Sequence, residues 1–189
     1  MERLELVYTD LQGPVTSTSF EGKVYIAKYT DHLSRVEKAY FLKWKSEAGD
    51  ALIKFVQNIT IPSGLRPQCL RSDSGGEYTG RDFCEYWNST GIQQEFTGPY
   101  TPQQNGVAER EWQSLMAMTR CLLSGASLPK EFWAEVFNTL VYLSNRFPSS
   151  ALGGKPPTLC CTGARLHPFN TFESSVHTPL PTKKMDRES

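Results

Sequence analysis

The chain has 189 residues, 39% hydrophobic and 12% aromatic, enough for one domain with its own core. Lysine and arginine total 20, as do aspartate and glutamate, so the formal net charge is zero and the excess of positive charge with which a protein holds DNA unaided is missing. No run of about 18 apolar residues exists to span a membrane, and Met1-Glu2-Arg3-Leu4-Glu5 lacks the basic and apolar regions of a secretory signal.

In chain order, strands are expected over residues 4–10, 23–29 and 36–42, separated by the turn residues Gly13-Pro14, Glu21-Gly22 and Asp31-His32-Leu33-Ser34. Short links between three consecutive strands imply an antiparallel meander. Ser46 is a plausible N-cap for a helix with Ala48, Leu52, Phe55, Val56 and Ile59 on one face, stopped by Pro62 and Gly64. A strand over 68–72 follows, then a short helix over 81–89 that buries Phe83, Tyr86 and Trp87 and closes at Gly91, then a strand over 94–97. Strands that arrive after helices imply a mixed α/β sheet of five strands flanked by helices.

Two more helices complete the pattern. Over 106–124, a rotation of about 100° per residue groups Leu115, Met118 and Leu122 on the core side, with Glu109, Gln113, Met116 and Arg120 opposite. The next helix starts at Pro129, a favoured first-turn residue, and buries Phe132, Val136, Leu140 and Leu143. Trp44, Trp87, Trp112 and Trp133 read as core or helix-packing residues. The odd set Cys69, Cys84, Cys121, Cys160 and Cys161 forms no zinc spacing and reads as mostly buried small hydrophobes in a reducing compartment. His32, His167 and His177 are too scattered for a metal site or catalytic base.

Three carboxylates carry the chemistry. Asp10 ends one extended run, Asp73 ends another, and Glu109 lies near a helix start after the turn-rich stretch 98–106, with 35 residues between Asp73 and Glu109. Singly, a strand-end aspartate is more often a turn residue, and a first-turn glutamate often complements the helix dipole. Clustered, the three repel unless a dication or proton intervenes. Two Mg²⁺ or Mn²⁺ ions about 3.5–4 Å apart would make such a cluster fit for in-line displacement at phosphorus. Asp31, Glu77 and Glu95 are the other acids near these segments, and Asp31 is expected to be structural, its turn held by Ser34 or Arg35.

The strings Tyr8-Thr9-Asp10-Leu11-Gln12-Gly13-Pro14, Leu70-Arg71-Ser72-Asp73-Ser74-Gly75-Gly76-Glu77-Tyr78 and Pro99-Tyr100-Thr101-Pro102-Gln103-Gln104-Asn105-Gly106-Val107-Ala108-Glu109-Arg110 resemble the integrase catalytic core of copia-type retrotransposons. The resemblance continues through Leu128-Pro129-Lys130-Glu131-Phe132-Trp133-Ala134-Glu135 and Tyr142-Leu143-Ser144-Asn145-Arg146-Phe147-Pro148, covering roughly residues 3–158. It implies a ribonuclease H-like fold and an Mg²⁺-dependent polynucleotidyl transferase and endonuclease, with Asp10 bridging two metals, Asp73 holding one and Glu109 the other. Water as nucleophile gives 3′-end processing; a DNA 3′-hydroxyl gives strand transfer. Retrotransposon ends and target DNA are the implied partners, together with a homodimer or higher oligomer, no membrane, and a nuclear site of action after synthesis in the cytoplasm.

Tyr100, Gln103, Gln104 and Asn105, in a loop over 98–106, offer stacking and hydrogen bonding to a DNA end, and Arg110, Gln113 and Arg120 offer phosphate contacts on the helix that follows. Lys43 and Lys45 are weaker candidates, and Asn105 would otherwise be a simple N-cap. The chain departs from the family at Glu111-Trp112-Gln113, where asparagine and arginine usually follow Arg110, and at Ser74, where asparagine is frequent. Residues 1–158 are read as the core and 159–189 as a divergent extension, with a flexible tail from about 174. Neither the zinc-binding domain that precedes such cores nor the basic domain that follows them is expected here. A remnant without catalysis that binds nucleic acid or protein partners is the alternative reading.

Overall fold

The structure is a computed structural model that describes residues 4–63, 67–72, 90–96 and 102–162, with the backbone alone for 59–63, 102–110 and 161–162. Five strands form one mixed sheet: β1 (Leu6–Gln12), β2 (Tyr25–Asp31), β3 (Glu37–Leu42), β4 (Cys69–Ser72) and β5 (Gln93–Phe96), in the order β3-β2-β1-β4-β5. The first three make the expected antiparallel meander, and β4 and β5 add in parallel beside β1. Among the described residues, four α-helices accompany the sheet: α1 (Ala48–Ser63), α2 (Pro102–Gly125), α3 (Trp133–Ser144) and α4 (Pro157–Thr162).

Side-chain alternation along the strands divides two cores. Val7, Ala27, Tyr29, Leu42 and Leu70 pack with Ala48, Ala51, Leu52, Phe55 and Val56 of α1. On the opposite face, Ile26, Ala39 and Phe41 meet Leu115 and Leu123 of α2 and Trp133, Ala134, Phe137, Leu140 and Val141 of α3. The sheet is therefore sandwiched between α1 and the α2–α3 pair.

Several local expectations need correction. Asp10 does not end its strand, because β1 continues pairing with β2 through Leu11↔Ala27 and Gln12↔Ile26. Ser46 is no N-cap; it lies inside a 3₁₀ turn, Lys45–Glu47, and the Glu47 carboxylate caps the start by accepting from the Lys43 and Trp44 amides at 2.8 and 3.5 Å. Helix α2 begins at Pro102, so half of the expected loop is helical and Asn105 lies within the helix. Proline suits a first turn because its missing N–H has no partner there anyway.

The buried stripe of α2 is also rotated from expectation. Leu115 is buried, but Met118 and Leu122 are 45% and 46% exposed, while Thr119 and Leu123 are buried and Trp112 and Met116 pack against the core. The Thr119 hydroxyl donates to Leu115 O at 2.8 Å, which satisfies its polarity inside and lets a threonine sit in the buried stripe. In α3 the buried stripe is Trp133, Ala134, Phe137, Leu140 and Val141, with Phe132 and Val136 only partly buried and Leu143 half-buried. A 3₁₀ turn over Lys130–Phe132 precedes the helix and offsets its phase.

Trp133 is buried and Trp112 packs against Phe137, but Trp44 is 68% exposed. Among the described cysteines, Cys121 is exposed and Cys69 and Cys160 are half-buried, all as free thiols, so these are not the buried hydrophobes expected. The helix expected over 81–89, including Phe83, Cys84, Tyr86 and Trp87, lies outside the described residues. Gly91, its expected terminator, has φ of 71°, the left-handed conformation that glycine adopts without strain.

Candidate active site

Asp10 stands on β1, the central strand, directly opposite Lys28 of β2 in the antiparallel register. Facing residues of an antiparallel pair share one side of the sheet, here the side covered by α2 and α3. The Gln12 amide lies 3.1 and 3.2 Å from the two Asp10 carboxylate oxygens, and a neutral donor of this kind orients a carboxylate without cancelling its charge. On its other edge, among the described residues, β1 pairs with β4 from Leu6 to Tyr8, and Asp10 sits two residues past Tyr8.

Lys28 is a functional candidate that sequence reasoning passed over. Its side chain is 3% exposed, and its ammonium lies 3.1 Å from Glu37 Oε1 of β3 and 3.7 Å from Glu111 Oε2 of α2. The available signal was a lysine on the Ile26-Lys28-Thr30 side of a strand that is otherwise buried. A lysine there requires acidic partners.

Toward the β4–β5 edge, the same face carries polar pairs. The Tyr8 hydroxyl meets His32 Nδ1 at 2.8 Å, the Arg71 guanidinium lies over the Tyr8 ring at 5.6 Å, and Arg71 donates through Nε and Nη2 to Glu95 Oε2 at 3.1 and 2.7 Å. The Arg71 hydrogen bond holds the Glu95 carboxyl below its ordinary value and raises the guanidinium in turn. Burial pushes the Cys69 thiol up, and the Glu95 charge pushes it further.

Asp31 is structural, as expected. It is 2% exposed, and its carboxylate accepts from Ser34 N and Ser34 Oγ at 2.8 and 2.6 Å and from Leu4 N at 3.0 Å. Ser34 holds the turn with its side chain, whereas Arg35 contributes its backbone N–H, at 3.0 Å from Asp31 O.

Of the other expected site residues, Gln113 and Arg120 are exposed on α2. Glu109, Gln103, Gln104, Asn105 and Arg110 belong to α2 by backbone, with side chains outside the described residues. Asp73, Tyr100 and Glu77 lie outside the described residues altogether. Among the described residues no group of three metal-ligating side chains occurs, and no helix is long and apolar enough to cross a membrane.

Comparison with known proteins places this geometry. The chain is 43% identical over 154 residues, 82% of its length, to the retrovirus-related Pol polyprotein from transposon TNT 1-94 of Nicotiana tabacum. It is 34% and 33% identical to the retrovirus-related Pol polyproteins from transposons RE2 and RE1 of Arabidopsis thaliana, over 155 residues each. It spans 12%, 10% and 10% of the length of these three curated relatives. No protein-family model matches the chain.

Among solved structures, a chain of the simian T-cell lymphotropic virus intasome superposes with a TM-score of 0.67 at 19% identity, covering 87% of this chain and 56% of that one. The HTLV-2 integrase catalytic core domain in complex with magnesium gives 0.61 at 15%, covering 82% and 95%. The catalytic core domain of BIV integrase gives 0.57 at 19%, covering 82% and 91%. The fold is that of these cores, the ribonuclease H-like mixed sheet expected from the sequence.

Proposed function

This chain belongs to the copia-type retrotransposon Pol family, and we propose that residues 1–158 are its integrase catalytic core, a metal-dependent DNA polynucleotidyl transferase and endonuclease. The observation that carries this reading is the β1–β4 register. Tyr8 and Arg71 are the last parallel partners among the described residues; Asp10 follows the one by two positions and Asp73 follows the other by two. Neighbouring strands lie about 4.8 Å apart, so this register favours a meeting of the two carboxylates beside the helix that carries Glu109.

Asp10, Asp73 and Glu109 would hold Mg²⁺ or Mn²⁺, two ions by resemblance. The donor set fits, since carboxylate oxygens are the hard ligands these ions take, and Gln12 presents both oxygens of Asp10 without neutralising them. When bound, such ions lower the pKa of an attacking hydroxyl and stabilise the departing oxygen. The protein's own part is placement: Asp10 is fixed by the pairing of β1 with β2 and by the Gln12 amide, and Gln113 and Arg120 project from α2 as contacts for the DNA backbone. Tyr100, Gln103, Gln104, Asn105 and Arg110 complete the proposed DNA-end contacts.

The substrates on this reading are retrotransposon ends, trimmed at the 3′ end and joined to target DNA in the nucleus. The HTLV-2 core, solved in dimeric and trimeric forms, supports a core that self-associates, which sedimentation would test. The deciding experiment titrates Mn²⁺ into the wild-type chain and Asp73→Asn by calorimetry and assays disintegration of a branched DNA in parallel. Binding and cleavage that both vanish in the variant support the reading. Metal binding without cleavage would favour the non-catalytic alternative, and a chain that takes up no metal would sink the catalytic one.

A further inference from the structure

The charged group nearest Asp10 in the sheet register is a buried lysine that the proposed chemistry leaves without a task. Lys28 points to the α2–α3 side among Ile26, Ala39 and Phe41, and its two acidic partners come from different elements. Glu37, on β3, has a side chain only 10% exposed. Asn145 at the end of α3 grips the backbone of Glu37 at both N and O, at 2.8 and 2.7 Å. The near end of the network is thus fixed by two strands and a helix terminus. Glu111, whose side chain is 44% exposed, is the partner free to adjust.

We infer that Lys28 is a positioning residue for the acidic site, a strut whose ammonium holds Glu111 and thereby sets the placement of α2 against β1 and β2. The geometry makes the consequence direct. Lys28 is the cross-strand partner of Asp10, and Glu111 follows Glu109 by two residues, about 3 Å along a helix axis. A shift of α2 relative to Lys28 is therefore a shift of Glu109 relative to Asp10. The inference rests on the catalytic reading for its functional meaning, but the strut itself is a contact between β2 and α2. It also gives a role to Glu111, one of the positions where this sequence departs from the pattern it otherwise resembles.

The test uses the full chain with Lys28→Met, Lys28→Arg, Glu111→Gln and the Lys28→Met/Glu111→Gln pair. Hydrogen–deuterium exchange is followed over residues 106–114, Mn²⁺ affinity is measured by calorimetry, and thermal unfolding serves as the control. Glu111→Gln is expected to melt with the wild type while exchange in that segment quickens and Mn²⁺ affinity falls about tenfold, the scale of a lost partner behind a metal ligand. Lys28→Met should quicken exchange and weaken Mn²⁺ binding likewise but melt lower, because it strands the buried Glu37 carboxylate; the pair should be no worse than Lys28→Met alone, and Lys28→Arg should restore both readouts.

Unchanged exchange and affinity in Glu111→Gln would overturn the strut, as would additive losses in the pair. Should Lys28→Met fail to fold, Glu111→Gln decides. A wild-type chain that binds no Mn²⁺ would defeat the catalytic reading and leave the exchange readout to decide the strut.

Discussion

Asn145, the residue after α3, brackets Glu37 of β3 as a neighbouring strand would: Glu37 N donates to Asn145 Oδ1 at 2.8 Å, and Asn145 Nδ2 donates to Glu37 O at 2.7 Å. The Asn145 carbonyl also accepts from Thr158 N and Oγ1 at 3.0 and 2.9 Å. One amide side chain thus fastens α3 to the sheet edge, while its backbone receives α4. Asn145→Ala would leave two strand groups short of partners, at a cost of about 2 kcal/mol. Urea denaturation reads this out, and a loss below about 0.5 kcal/mol would show that water replaces the amide.

Asp31 and Asp10 sit on adjacent strands and should answer substitution in opposite ways. Asp31 is buried and accepts three hydrogen bonds, so Asp31→Ala should lose about 3 kcal/mol of stability. Asp10→Asn keeps its volume and, on the proposed reading, relieves repulsion among the three carboxylates. Its unfolding midpoint should equal or exceed that of the wild type, while Mn²⁺ uptake disappears. A destabilised Asp10→Asn with metal binding intact would make Asp10 a second structural aspartate.

Cys69 and Glu95 give a pH signature of defined sign. The Cys69 thiol is raised, first by burial and then by Glu95, so its contribution to stability is complete below the ordinary thiol value, about 8.5, and is lost as pH rises through the raised value. The Glu95 carboxyl is lowered by Arg71, so its contribution is present above the ordinary carboxylate range and is lost as pH falls through the lowered value. Alkylation by iodoacetamide at about pH 8.5 requires thiolate. Cys69 should react more slowly in the folded chain than in urea, and Glu95→Gln should speed it. An equal rate in the variant would remove Glu95 from the account.

Trp44 and Trp133 provide an internal contrast. Trp44 is 68% exposed, and Trp44→Ala should change stability by no more than about 0.5 kcal/mol. Trp133 is 3% exposed against Phe41, so Trp133→Ala should cost about 3–5 kcal/mol. Its buried Nε1 finds no hydrogen-bond partner among the described residues, and Trp133→Phe removes that donor along with some apolar area. The phenylalanine variant should therefore lie within about 1 kcal/mol of wild type by denaturant titration. A loss as large as that of the alanine variant would assign the indole N–H a partner in solution.

The five strands and the helices α1, α2 and α3 were legible in residue order because apolar alternation and turn residues are local; α4 was not expected, since its six residues carry no long apolar repeat. The meander of β1–β3, the mixed character of the sheet and the structural role of Asp31 were visible from turns, strands that follow helices, and the Asp31-His32-Leu33-Ser34 turn. Asp10 was legible as a candidate from its surrounding string.

What the sequence could not determine is which side of each helix faces inward and which charges meet. Leu115, Met118 and Leu122 share a helical face on paper, yet α2 buries Leu115, Thr119 and Leu123, because packing against the sheet and α3 chooses the stripe and the Thr119 hydroxyl can bond within its own helix. Lys28, Glu37 and Glu111 come from β2, β3 and α2, and nothing in their spacing predicts that they meet. Local sequence determined the elements and nominated the acids. Only tertiary packing decided the rotation of α2 and the burial of a lysine beside Asp10, because both depend on contacts between segments far apart in the chain.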